Sequence, residues 1–234
     1  MKKNTLYLLP TPLTTTFLIE SIPHLNLELT LKCPLFVVEN TRSARRFLRT
    51  LDPSFPIDDK IFMELNEQSK DPDLQEIFKT FEKYQNGILM SEAGCPGIAD
   101  PGASLVRKCH DAGIAVHPLP GPSSVIMAVM GSGLNGQSFS FLGYLPKEKE
   151  ERRRKIKTLS SLAQSQSVWF IETPYRNLHL TDDLLSQLPP SMLLCVATEL
   201  QSPHEFVRTL PLSKWKQMNL DFLKDHPAIF GLGY

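Results

Sequence analysis

The stretch SEAGCPGIADPG, Ser91 to Gly102, follows the apolar run Ile88-Leu89-Met90 and holds three glycines, two prolines and two carboxylates. Glycines strip bulk from a chain leaving a strand, so a ligand can approach backbone amides where open α/β sheets bind their ligands. Asp100 suits a helix N-cap, with Pro101 at the first helical position, where no N–H is needed. The phosphate-loop pattern GxxxxGK[ST] and the dinucleotide pattern GxGxxG are both missing. That leaves a ligand with few phosphates, and a nucleoside-type cofactor such as S-adenosylmethionine is one option among several. A second punctuated tract, PGPSSVIMAVMGSGL (Pro120 to Leu134), offers Ser123 or Ser124 as a cap and ends on Gly131 and Gly133. Alone it reads as a capped, buried helix. Two such helix starts in one chain point to a shared cleft.

These tracts need a scaffold, and short apolar runs alternate with helical patterns along the chain. Strands are expected at Leu6-Leu9, Leu35-Glu39, Ile88-Ser91, Ile114-Pro118, Phe139-Gly143, Val168-Glu172, Leu193-Thr198 and Ala228-Leu232. Helices are expected at Ser43-Leu51, Leu74-Tyr84, Ala103-Ala112, Ser124-Met130, Glu150-Leu162 and Tyr175-Gln187. The alternation predicts α/β architecture, with helices covering the sheets. The proline- and glycine-rich segment HPLPGPSS, His117 to Ser124, divides the chain into domains 1–119 and 120–234.

Composition narrows the class. A chain of 234 residues, 41% hydrophobic, can bury one sizeable core or two smaller ones. No apolar run is long enough to cross a bilayer. Pro10 and Pro12 interrupt the short apolar stretch behind Lys2 and Lys3, so the N-terminus reads as a buried first strand, not a signal peptide, in a soluble cytoplasmic protein. Cys33, Cys95, Cys109 and Cys195 are scattered without a CxxC pair, which suits free, mostly buried thiols and predicts neither zinc nor a disulfide framework. The 25 basic and 25 acidic side chains balance, so no general basic coat is present. Two local basic tracts remain, Arg42 to Arg49 and Lys147 to Lys157, and each alone also fits a solvated helix face.

Taken in order, the two punctuated tracts resemble the tetrapyrrole-methylase superfamily of S-adenosylmethionine-dependent methyltransferases, nearest its branch acting on a cytidine 2′-hydroxyl of small-subunit ribosomal RNA. VENTRSARRFL (Val38 to Leu48), FLGYLPKEKEERR (Phe141 to Arg153), IETPYRN (Ile171 to Asn177) and ATELQSPHE (Ala197 to Glu205) agree as well. The resemblance implies two α/β domains with the cofactor in the cleft between them, and a homodimer. Carried over by position, it assigns the cofactor to Leu9, Pro10, Glu92, Gly94, Cys95, Ser124, Val125, Thr173, Leu200, Ala228 and Ile229. Glu92 could accept from ribose hydroxyls or the cofactor's amino group, or could serve as a second capping acid. Departures from the family occur at Glu39-Asn40, where an acidic pair is usual, and at Glu92, Cys95 and Tyr175. They also occur in LPTPLTTT, and in an end at Tyr234 that leaves out a small C-terminal extension.

The expected chemistry is direct methyl transfer, in which alignment contributes on the order of 7–11 kcal/mol. A base removing a ribose proton would add roughly 10²- to 10⁴-fold. Glu39, Glu199 and Glu205 stand unranked as that base, each with a structural role between loops as its alternative. Arg42, Arg45, Arg46, Arg152, Arg153 and Arg176 are the expected substrate contacts. Ribosomal RNA or the small-subunit particle is the expected partner, with no metal and no membrane. A tetrapyrrole or other small acceptor is the alternative substrate. The residues at Asn40 and Tyr175 keep open a cofactor-binding protein without catalysis.

Overall fold

A computed structural model describes residues 4–16 and 22–234. Lys2 and Lys3 of the N-terminal tract lie outside them. The chain divides into two compact units, Met1–Ser123 and Ser124–Tyr234.

The first unit is built on a parallel sheet in the order β3-β2-β4-β1-β5. Its strands are β1 (Thr5–Leu9), β2 (Leu35–Val38), β3 (Ile61–Glu64), β4 (Asn86–Met90) and β5 (Ala115–Pro118). The helices are α1 (His24–Lys32), α2 (Thr41–Leu51), α3 (Asp71–Tyr84) and α4 (Ala103–Asp111). The central β2 reads LFVV and is buried throughout, as a parallel strand covered on both faces must be. Successive side chains of a strand alternate between faces. Phe36 and Val38 therefore join Ile88, Met90 and Leu48 in one core, while Leu35 and Val37 join Leu89, Phe81 and Leu105 in the other. Pro118 ends β5 at the edge of the sheet, where a missing N–H costs least.

The second unit holds a mixed sheet, β6-β7-β10-β8-β9, parallel only between β6 and β7. The strands are β6 (Phe139–Tyr144), β7 (Ser167–Glu172), β8 (Leu193–Thr198), β9 (Phe206–Pro211) and β10 (Ala228–Gly233). Its helices are α5 (Ser124–Ser132), α6 (Lys149–Leu162), α7 (Pro174–Gln187) and the short α8 (Leu212–Trp215). In β10, Gly231 leaves room for the Trp169 ring, which an added Cβ would meet at 2.5 Å. The Trp169 indole N–H donates to Ser167 Oγ, and that of Trp215 to the Leu194 carbonyl, so both buried rings keep their polar atoms satisfied.

The sequence reading passes over α1, β3 and β9, and its cap for α4 needs correction. HLNLELTLK carries leucine at every second place, a strand-like period that hides α1; the helix buries Asn26 and Thr30 and leaves Leu25 exposed. β3 and β9 are half-exposed edge strands; β3 has only the short run Ile61-Phe62-Met63, and Arg208 and Thr209 interrupt β9. Asp100 does not cap α4: the helix starts later, at Ala103, and its N-cap is Gly102 at φ 122°. A Cβ at Gly102 would lie 2.6 Å from Leu89 Cδ2, so close packing on β4 requires glycine there and sets the helix start.

Candidate functional site

The carboxyl ends of β2 and β4 bring together motifs far apart in sequence. Glu39 and Asn40 leave β2, and Asn40 Oδ1 caps α2, accepting from the N–H of Arg42 (3.0 Å) and of Ser43 (3.1 Å). The Glu92 N–H, just past β4, donates to Glu39 Oε1 at 3.0 Å. The Ser43 hydroxyl donates to Glu92 Oε1 at 2.5 Å. Capping thus fixes the first turn of α2, and that turn orients the Glu92 carboxylate.

The electrostatics of this edge are unusual. Burial pushes the Asp100 carboxyl up to about 6; the like charge of Glu39 adds to the rise, and a hydrogen bond with Ser91 opposes it. Glu67 and Glu92 contribute further repulsion. Glu39 is also raised, chiefly by burial, with the Glu92 N–H opposing and the Glu92 and Glu67 charges adding. Freed from capping α4, Asp100 belongs to a carboxylate group that holds protons more tightly than isolated acids do.

Two hollows adjoin these groups. One, of about 360 Å³, is lined by apolar Leu13, Ala44, Phe47 and Met90, with the hydroxyls of Thr14, Thr15 and Ser43 near Glu92 and Arg46, while those of Thr11 and Ser91 bond to backbone carbonyls. The other is a shallow groove lined by Glu39, Asn40, Arg42, Ser43, Arg46, Asn66 and Glu92. Ser43, Arg46 and Glu92 belong to both. An apolar lining with a few hydroxyls, a carboxylate and guanidinium groups suits a flat polar ring carrying hydroxyls and a phosphate. Thr11, Ser43 and Asp100 are not assigned to this site from the sequence, although each lies in a tract it singles out: LPTPLTTT, VENTRSARRFL and SEAGCPGIADPG.

The residues expected to hold the cofactor have mixed settings. Leu9 is fully buried in β1. Gly94, at φ 80°, exchanges both backbone hydrogen bonds with Thr11, at 2.9 and 3.0 Å, so its peptide ties the 91–97 loop to the segment after β1 and is not a free donor. Cys95 Sγ donates to the Pro122 carbonyl at 3.4 Å, and Pro10 lies against Gly121, where a Cβ would meet it at 2.6 Å. In the second unit, Ser124 and Val125 open α5 and Thr173 is the N-cap residue of α7. Ala228 pairs in register with Glu172 and Thr198, so Thr173, Ala228 and the Glu199-Leu200 turn lie at the same end of three neighbouring strands. Leu200, Ala228 and Ile229 are buried.

Glu199 and Glu205 act within a turn. Glu199, at φ 53°, pairs with His226 Nδ1 at 3.1 Å, and Glu205 Oε2 accepts from the Gln201 N–H at 2.9 Å. The expected arginines divide. Arg42 and Arg46 line the groove and are exposed, with no ion pair among the described residues. Arg45 pairs with Asp58 at 2.9 Å and lies over the Phe62 ring. Arg152 does not sit on an open face: it is buried, 2.8 Å from Asp183, and also donates to the Lys147 carbonyl. Arg153 approaches the same carboxylate at 3.6 Å. Arg176 pairs with the buried Glu172 at 2.7 Å and donates to the Leu145 carbonyl. In this chain these three arginines make ion pairs within the second unit.

Two sheets with their helices, one sheet parallel and one mixed, define a fold also seen in solved structures. The methyltransferase CobJ superposes with TM-score 0.65 at 13% identity, over 98% of this chain and 92% of its own. The uroporphyrin III C-methyltransferase from Thermus thermophilus gives 0.59 at 14%, over 98% and 97%. At such identity these likenesses show the fold. The family of tetrapyrrole (corrin/porphyrin) methylases matches residues 28–215, and the chain belongs to it. It is similar to proteins named ribosomal RNA small subunit methyltransferase I. The one from Vibrio cholerae is 34% identical, over 89% of this chain and 69% of its own. The one from Escherichia coli O157:H7 is 31% identical, over 89% and 70%.

Proposed function

We propose that this chain is an S-adenosylmethionine-dependent methyltransferase that methylates the 2′-hydroxyl of a cytidine ribose in small-subunit ribosomal RNA. The observation that carries this reading is the shallow groove past β4, where Glu39 and Glu92 adjoin Arg42 and Arg46, neither of them in an ion pair among the described residues. The similarity to the two ribosomal RNA methyltransferases, spanning most of the chain, supports the RNA acceptor. In this reading the shallow groove takes the acceptor nucleotide, and Arg42 and Arg46 hold its phosphates. The ribose hydroxyl then faces the carboxylates. Glu39, raised by burial, accepts the hydroxyl proton as the oxygen becomes nucleophilic, and such a base contributes roughly 10²- to 10⁴-fold. Glu92 orients that hydroxyl while Ser43 holds its carboxylate in place.

The cofactor, when bound, supplies a methyl group already activated on a sulfonium. The chain's donor set fits such a nucleoside: carboxylate and hydroxyl groups edge the loop after β4, and the Gly94 cradle would bring a Cβ to 3.3 Å from Leu13. Within the first unit, Pro10, Gly94 and Cys95 would hold it. Glu199 and Glu205 keep the 199–205 turn in shape. We place the enzyme in the cytoplasm as a homodimer. Among the described residues no helix is long and apolar enough to cross a membrane, and no group of three His, Cys, Asp or Glu side chains could hold a metal ion.

The test is incubation with methyl-labelled S-adenosylmethionine and small-subunit particles from a strain lacking the gene. Label recovered as 2′-O-methylcytidine is the expected result. Label in a porphyrin precursor offered in a parallel incubation, with none in RNA, would replace this acceptor by a tetrapyrrole.

A further inference from the structure

A third hollow, of about 420 Å³, lies wholly in the second unit between the starts of α6 and α7. Its base is made of arginines whose charges are already matched. Arg152 is spent on Asp183 and the Lys147 carbonyl, and Arg176 on Glu172 and the Leu145 carbonyl. One donor is left over: Arg176 Nε is buried with no hydrogen-bond partner. The rim carries Lys147, Lys149 and His179, none of them in an ion pair among the described residues, against the single unpaired carboxylate of Asp182. The cationic surplus therefore comes from the rim lysines, while the arginines give the hollow a rigid floor. Tyr175 stands one helical turn before His179 on α7, at the spacing that places two side chains on one face, and it is 74% exposed. A cationic hollow with an open aromatic ring beside it combines the two features that hold single-stranded nucleic acid: charge along the backbone and a face for a base.

We propose that this hollow is a phosphate subsite for single-stranded RNA, with Lys147 and Lys149 binding the backbone and Tyr175 stacking on a flanking base. The inference rests on the proposed RNA acceptor, and it assigns that RNA a second point of attachment separate from the nucleotide hollow past β4. Two lysines on phosphate release condensed counterions, so each contact leaves a mark on the salt dependence of binding.

The test measures anisotropy of a short fluorescein-labelled single-stranded RNA against salt, using the full chain. The Lys147→Gln/Lys149→Gln variant should lower the slope of log affinity on log salt by about 1.4, at about 0.7 per lost contact. Lys147→Arg/Lys149→Arg should keep the parent slope, and Tyr175→Ala should weaken binding by about tenfold or more. Asp182→Asn should tighten it. A parent slope in the glutamine variant, or no RNA bound by the parent at low salt, overturns the subsite. Tripolyphosphate binding that disappears in the glutamine variant, while the RNA slope stays unchanged, assigns the hollow to a small phosphate compound and also overturns it. Methyl transfer is scored separately on the same preparations. A parent that binds RNA with the expected slopes yet methylates no cytidine removes the proposed reaction and leaves the subsite standing. A glutamine variant with the parent slope and intact transfer does the reverse.

Discussion

At the scale of single residues, Asp100 and Glu39 show how one group of acids can work both for and against the fold. Burial raises Asp100 to about 6, above the value of a free carboxyl near 3.9. Between these values the folded state holds more protons than the unfolded one, so stability falls as pH rises from about 4 to about 6 and then levels. Asp100→Asn should flatten that part of the pH–stability curve and leave the chain more stable at neutral pH, as read by urea midpoints at several pH values. A curve that keeps its slope in the variant would place the raised carboxyl elsewhere. Glu39→Gln should reduce methyl transfer by roughly 10²- to 10⁴-fold, with binding of labelled S-adenosylmethionine unchanged, as equilibrium dialysis would show. Asp100 was legible as a residue but not in its role. An aspartate before proline fits a cap by local rules, and only the packing of Gly102 on Leu89 moves the helix start beyond it.

At the scale of elements, α2 carries the most function for its length. The amide oxygen of its cap, Asn40, accepts from the N–H groups of Arg42 and Ser43, while Glu64 Oε1 accepts from that of Thr41. Asn40→Ala should cost about 1 kcal/mol by chemical unfolding, within the range of roughly 0.5–2 for lost caps, whereas Asn40→Asp should be nearly neutral. Arg42→Gln/Arg46→Gln should lower the RNA salt slope by about 1.4, since these two arginines face the groove while Arg45 is held by Asp58. The buried pair in the second unit behaves differently. Asp183→Asn strands Arg152 without its charge partner and should destabilise the chain by about 3–5 kcal/mol in the same unfolding measurement. Strong apolar runs such as Ile88-Leu89-Met90 made the central strands legible. α1 was not, because its leucines alternate as in a strand while its buried positions are Asn26, whose side chain donates to the Pro120 carbonyl, and Thr30. That tertiary hydrogen bond leaves no mark in local periodicity.

At the scale of the whole molecule, the alternation of strands and helices specified α/β architecture, and the ordered motifs specified the family to which the chain belongs. Composition could not separate an RNA acceptor from a tetrapyrrole, because arginines serve both and the net charge is zero. The meeting of VENTRSARR with SEAGCPG at the ends of β2 and β4 is a product of parallel pairing, which sets Val38 beside Met90. The pairing brings an acid, a cap and two arginines to one hollow, and the account turns on what that hollow does to a ribose. The most direct measurement uses the RNA segment carrying the labelled cytidine, with that one nucleotide made 2′-deoxy. The segment should still bind with the parent's salt slope and accept no methyl group. Methyl transfer to the deoxy segment at the parent rate would put the methyl group on the base and contradict the account.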